Sequence, residues 1–161
     1  MFKYLQKSFL LVVLLLSFSY QVKSQLIQNT IPDHKPMMTA IWEKFDLLMY
    51  KVITMPDGTK TYTPHFPQEL KALDNKNVTL PGYMIPLKVG RDHHTFMLSV
   101  LPVMQCMFCG QNGIPPLVQI VMRKGKVRFT DEPFKINGTI HLNQDPDKGA
   151  EIQLLDASLS Q

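Results

Sequence analysis

The chain has 161 residues, 45% of them hydrophobic, a formal charge of +4 and two cysteines. That length suffices for one domain with its own core, and two cysteines are too few for a disulfide lattice to replace one. Lys3, Lys7 and Lys23 all stand in the first 24 residues with no acid among them, so the remainder carries +1. A near-neutral domain lacks the basic stripe that nucleic-acid binding calls for.

Residues 1–24 read as a secretory signal peptide. Lys3 and Lys7 open it, residues 9–16 form the apolar run, and Val22, Lys23 and Ser24 supply the cleavage site before Gln25. The run falls short of the roughly 20 apolar residues of a membrane helix, so membrane contact is expected only through an uncleaved leader. The expected location is the periplasm or the exterior. No Cys stands at the cleavage point to carry a lipid.

Residues 25–38 are polar, contain two prolines and show no period, as in a flexible lead-in. A single domain is expected over 39–161. Its first stretch is ambiguous: Trp42, Phe45, Leu48 and Met49 suit a short helix, while residues 47–53 pass equally as a strand. Met55, Pro56, Asp57 and Gly58 form a turn signal, with residues 62–66 as an extended return limb. Pro67 opens one or two helical turns over 68–73, which residues 74–77 break.

Beyond Asn77 the period becomes two, and five strands are expected at 78–89, 95–101, 117–122, 134–142 and 151–159. The first is interrupted by Pro81, Gly82 and Pro86, the mark of a bulge or a coiled strand. The fourth is the clearest, with Phe134, Ile136, Gly138, Ile140 and Leu142 alternating with Lys135, Asn137, Thr139 and His141. No helix of useful length separates the strands, which excludes a sheet built on helical crossovers. The expected fold is mainly β: a small five-stranded OB-like β-barrel with an N-terminal extension, a small sandwich being the competitor. Its binding surface would be the outer faces of the second and third strands with their flanking loops.

Cys106 and Cys109, in Cys106-Met107-Phe108-Cys109-Gly110, lie between those two strands. In an exported chain the first reading is a disulfide, which across so short a loop constrains the loop more than it stabilises the fold. The second is zinc, with His93, His94 and His141 as the candidate further ligands and Asp92 a weaker one. The third is thiol redox with Cys106 as the attacking thiolate, although no βαβ pattern surrounds the pair. His93 and His94 are adjacent, so on a strand they face opposite ways and only one could join the cysteines. The ten methionines form no Met-x-x-Met cluster and read as core filling rather than copper ligands. No hydrolase signature and no phosphate-cradling glycine loop occurs. Lys124, Lys126 and Arg128, interrupted by Gly125, read as a solvated hairpin. Asp156 is expected to cap a strand or bond to backbone.

The block Gly82-Tyr83-Met84-Ile85-Pro86-Leu87, the strand that follows it, the cysteine loop and the proline step into Leu117-Val118-Gln119-Ile120 together resemble domain-of-unknown-function family 3299. These are small exported bacterial proteins, and the likeness spans about residues 42–158. Many members carry one Cys, a His two residues later and a proline run ending near a Gln. Aligning Cys109 on that Cys puts Gln111 in the place of the His and Gln119 on the Gln. The missing His weakens a metal site carried over from the family, while Cys106 could replace a ligand. The resemblance implies an exported β domain, sometimes encoded near ABC-type export or metal-uptake components, with no established activity. It also implies a bacterial source, where the acceptor triplets at Asn77 and Asn137 have no glycosylation role.

The expected function is a non-enzymatic periplasmic binding or accessory module. It would be metal-linked or serve an ABC-type transporter through Cys106, Cys109, Gly110, Gln111, Asn112, Pro115, Pro116 and Gln119. The expected partners are a transporter component or an envelope protein, and zinc is the one cofactor the pattern raises. A thiol-disulfide redox protein using Cys106 and Cys109, or a structural envelope protein with a loop disulfide, is the alternative.

Overall fold

A computed structural model describes residues 36–103 and 115–160. The chain divides into Met1–Ile31, which lies outside the described residues, and Pro32–Gln161. In the second unit a helix α1 (Ala40–Phe45) leads to a hairpin of β1 (Met49–Thr54) and β2 (Lys60–His65), then to a single-turn helix α2 (Gln68–Lys71). The remaining strands are β3 (Asn77–Pro86), β4 (Asp92–His93), β5 (Thr95–Ser99), β6 (Leu117–Met122), β7 (Val127–Arg128), β8 (Phe134–Leu142) and β9 (Ile152–Leu159).

Five of these close into a barrel in the order β3-β5-β6-β9-β8, with β8 returning to β3. Every pairing is antiparallel except that of β6 with β9. The barrel therefore runs first, second, third, fifth, fourth, with its third and fifth strands parallel, which is the OB arrangement expected from the sequence. The strands form because their apolar residues alternate. Phe96 and Leu98 of β5, Val118 and Ile120 of β6, Ile136 and Ile140 of β8 and Leu154 of β9 are all fully buried inside. Each such side chain contributes roughly 1.5–3 kcal/mol on leaving water.

Closure bends the strands sharply, and two glycines make room for it. A Cβ on Gly82 would lie 2.7 Å from Leu98 Cγ and 2.8 Å from the Ser99 carbonyl oxygen. On Gly138 it would lie 2.7 Å from Leu154 Cγ and 2.9 Å from the Leu155 carbonyl oxygen. Opposite Gly138, β9 carries a bulge: Ile120 pairs with Leu154 but Met122 with Ala157, and Asp156 takes φ 52°. Asp156 is thus the bulge residue rather than a strand cap.

The N-terminal extension completes this core. Thr39 caps α1 by accepting the Trp42 N–H at 3.5 Å. Trp42 is fully buried, its indole N–H donates to the Pro81 carbonyl at 2.9 Å, and Phe45 meets it edge-on at 5.5 Å. Phe66 and Leu70 join the same cluster as the barrel residues. Both readings of the ambiguous N-terminal window hold in turn, as a helix to Phe45 and a strand from Met49. Of the lead-in expected over 25–38, residues 36–38 are described, and there the Met37 N–H donates to the Val100 carbonyl.

The strands expected to reach residues 89 and 101 end at Pro86 and Ser99. The basic run spans the link from β6 to β7 and β7 itself, which pairs with β4 through Asp92 with Arg128 and His93 with Val127. Lys124, Lys126 and Arg128 are solvated as expected, but the run is not a hairpin, because β6 and β7 do not pair with each other. Met84 and Met122 fill the core, but Met38, Met49 and Met55 are exposed, so core filling accounts for only some of the methionines.

Candidate functional site

With Phe96, Leu98, Val118 and Ile120 turned inward, Thr95, Met97, Leu117, Gln119 and Val121 stand on the outer face of β5 and β6. The pairings Met97 with Gln119, Gln119 with Gln153, and Gln153 with His141 set those four residues in one row across β5, β6, β9 and β8. Beside that row lies a groove of about 290 Å³. Met97, Leu117 and Ile152 line it from the barrel, Phe45, Leu48 and Tyr50 from the N-terminal extension, and Pro115 and Pro116 from the segment entering β6. Among the described residues its charged lining is Asp46 and Glu151, with no basic residue.

Tyr50 is the most perturbed acid of this groove. The side chain is half-exposed, and partial desolvation first, then its hydrogen bond to Glu151 and the charge on that carboxylate, push the phenol up to about 12 from its ordinary 10.0. The proton is held more tightly in the folded chain, so this contribution to stability is complete below pH 10 and is lost as pH rises towards 12. The tyrosinate absorbance missing from Tyr50→Phe should therefore appear with a midpoint near 12. Glu151→Gln should lower that midpoint only part of the way, because the partial desolvation remains. A wild-type midpoint at 10 would contradict the contact.

The edge of the groove is set by the loop between β8 and β9, which three carboxamides hold. Asn143, nearly fully buried, donates through Nδ2 to the carbonyls of Asp145, Gly149 and Ala150 at 2.7, 3.1 and 3.3 Å. Its Oδ1 accepts the Asp145 N–H at 3.0 Å. Gln119 Oε1 accepts the Ala150 N–H at 2.7 Å, and Gln153 Nε2 donates to the carbonyls of Lys148 and Ala150. Gly149 takes φ 115°, and a Cβ there would collide with the Gln119 side chain. Asp145 accepts from the Asp147 N–H and pairs with Lys148 at 3.1 Å, which holds its carboxyl below the usual range, the Lys148 contact being the larger cause.

Asn143→Ala would leave several of these backbone groups unpaired and is expected to cost about 2 kcal/mol. Hydrogen exchange should show the amides of residues 145–150 losing protection while β5 and β6 keep theirs. Unchanged protection would show that the carboxamide does not hold the loop.

The residues singled out from the sequence fall into three groups. Cys106, Cys109, Gly110, Gln111 and Asn112 lie outside the described residues. Pro115 and Pro116 line the groove, and Gln119 stands beside it but acts on the Ala150 backbone, as a positioning residue. The histidines are held separately. His93 is buried, with Nε2 3.2 Å from the Gly90 carbonyl, rather than solvated in a turn. His94 Nδ1 lies 2.9 Å from the Gly125 carbonyl, and His141 is exposed on β8. A carbonyl only accepts, so the bonded nitrogen of each ring donates, and Nδ1 of His93 and Nε2 of His94 are the nitrogens those carbonyls do not engage. Among the described residues no three His, Cys, Asp or Glu side chains are grouped as a metal site.

Sequence reasoning missed Asp46, Tyr50, Glu151 and Asn143. Asp46 and Tyr50 come from the stretch joining α1 to β1, and Asn143 and Glu151 from the two ends of the β8–β9 loop, and no local spacing links those two stretches. No family model, curated protein or solved structure matches the chain.

Proposed function

We propose that this chain is an exported, non-enzymatic binding or accessory module that engages its ligand or partner at the groove beside β5 and β6, together with the loop of residues 106–116. The observation that carries the reading is the groove's composition among the described residues: apolar walls, two carboxylates, no cation, and a rim at Pro115 and Pro116, where that loop returns. Apolar clefts with a few convergent polar groups are the usual form of a binding site. The outer surface of these two strands is where OB barrels take their ligands.

The negative rim suits a cationic ligand, either a metal ion or a positively charged segment of a transport component. Cys109 stands six residues before Pro115, a chain length of at most about 20 Å from the rim of the groove. Two thiolates with the carboxylates of Asp46 and Glu151 would make a donor set of the S and O types that zinc accepts. Export follows from the leader over residues 1–24, with Gln25 as the mature terminus.

The test is elemental analysis of the purified protein beside a titration of free thiols before and after chelator. The metal-linked form predicts about one zinc per chain and thiols that react only after chelation. Neither metal nor free thiol means a disulfide. Loss of disulfide exchange in Cys106→Ser would then identify a redox pair, and lowered stability alone a structural staple.

A further inference from the structure

The β1–β2 hairpin carries a surface that the barrel leaves uncovered. Leu47, Met49, Tyr50, Val52, Ile53, Met55 and Tyr62 are each more than 40% exposed, and they make up seven of the eleven exposed large hydrophobics among the described residues. Backbone pairing joins β1 to β2 alone. A two-stranded ribbon is at best marginally stable in water unless a third strand or a packed face supports it.

The two edges of the ribbon are not alike. Pro64 has no N–H, so its nitrogen faces away from β1, and alternation turns Lys60 and Tyr62 outward with it. The bond from the Met55 N–H to the Thr59 carbonyl at 2.8 Å sets the same parity. Through the pairs Tyr50 with Pro64, Val52 with Tyr62 and Thr54 with Lys60, the outward backbone groups of β1 are those of Tyr50, Val52 and Thr54. Proline and lysine on an edge discourage pairing, and they guard β2 only. The β1 edge keeps every N–H.

We propose that this edge pairs with the β1 edge of a second copy of the chain, antiparallel about a two-fold axis at Val52. Three features favour a second copy over an unrelated strand. Val52 and Tyr62 of both copies then form one apolar row across four strands. Lys51 lies opposite Ile53 of the second copy, so no like charges face each other. Thr54 of the second copy lies opposite Tyr50, which puts its cross-strand neighbour Lys60 in the same row as Tyr50, facing the carboxylate of Glu151 that Tyr50 holds. The contact is self-complementary, as a two-fold interface must be.

The test is sedimentation velocity over a concentration series with wild type, Val52→Lys, Val52→Glu and an equal mixture of the two variants. Wild type is expected to dimerise. Each variant sets like charges opposite each other at the axis, and its dissociation constant should rise at least about tenfold, whereas the mixture should restore the dimer. Val52 is exposed, so neither variant should alter the circular dichroism of the barrel, and Val52→Pro, which removes an outward N–H, should also give monomer. A wild-type monomer at every concentration overturns the pairing, whether or not it cosediments with phosphatidylglycerol vesicles. Single variants that dimerise like wild type, or a mixture that stays monomeric, overturn it as well.

Discussion

Trp42→Ala is expected to lower the unfolding free energy by about 4 kcal/mol, the largest loss of any single substitution outside the barrel strands. The side chain is fully buried, and its removal leaves a cavity beside Phe45 and withdraws the donor from the Pro81 carbonyl. Phe45 lines the groove and Trp42 packs against it, so the variant should loosen the groove as well as the fold. Urea unfolding measures the first effect. Trp42→Phe separates its causes: it keeps most of the packing but loses the indole donor, and should cost about 1–2 kcal/mol. A loss below about 1 kcal/mol in the alanine variant would mean that the N-terminal extension is not part of the cooperative core.

Gly138→Ala is expected to cost about 3 kcal/mol, the upper end for inserting one methyl group into a packed site. The new Cβ would press on Leu154 Cγ and on the Leu155 carbonyl oxygen. A side chain can rotate away, but that oxygen is fixed by the β8–β9 pairing at its bulge. Gly82→Ala should behave alike, because Leu98 Cγ and the Ser99 carbonyl oxygen take the same places around it. Gly125→Ala is the contrast: its position is open, and only the strain of φ 72° opposes the substitution, about 1 kcal/mol. Equal urea midpoints for the variants at 138 and 125 would show that close strand approach does not limit the barrel.

The barrel was legible because each strand carries its own alternation. Residues 134–142 present apolar side chains at every second position, and the same period marks 95–99 and 117–122. The register was less so. Nothing local in residues 152–159 announces that the fifth strand lies parallel to the third, or that Asp156 forms the bulge that lets it do so. The groove was legible only in outline. An OB barrel presents the outer face of its second and third strands, and of the groove residues Pro115 and Pro116 were named from the loop between them, while Met97 and Leu117 stand on the face itself. Asp46 follows α1 and Tyr50 lies four residues on in β1, whereas Glu151 just precedes β9, so only the packing of the N-terminal extension against the barrel brings the two segments together. Gln119 was assigned to binding from its place in the chain, yet its hydrogen bond makes it a support for the neighbouring loop. His93 stands in a polar run that gives no sign of burial, yet it is buried in the β4–β7 ladder.

The central claim is that the β5–β6 groove is the surface through which this chain meets its partner. Photo-cross-linking in cells tests it most directly, with p-benzoyl-phenylalanine replacing Met97 or Leu117 in the groove, or Lys135 on the exposed face of β8. The account predicts a discrete cross-linked adduct from positions 97 and 117 and none from 135. Adducts from 135 alone, or equally from all three positions, would contradict it.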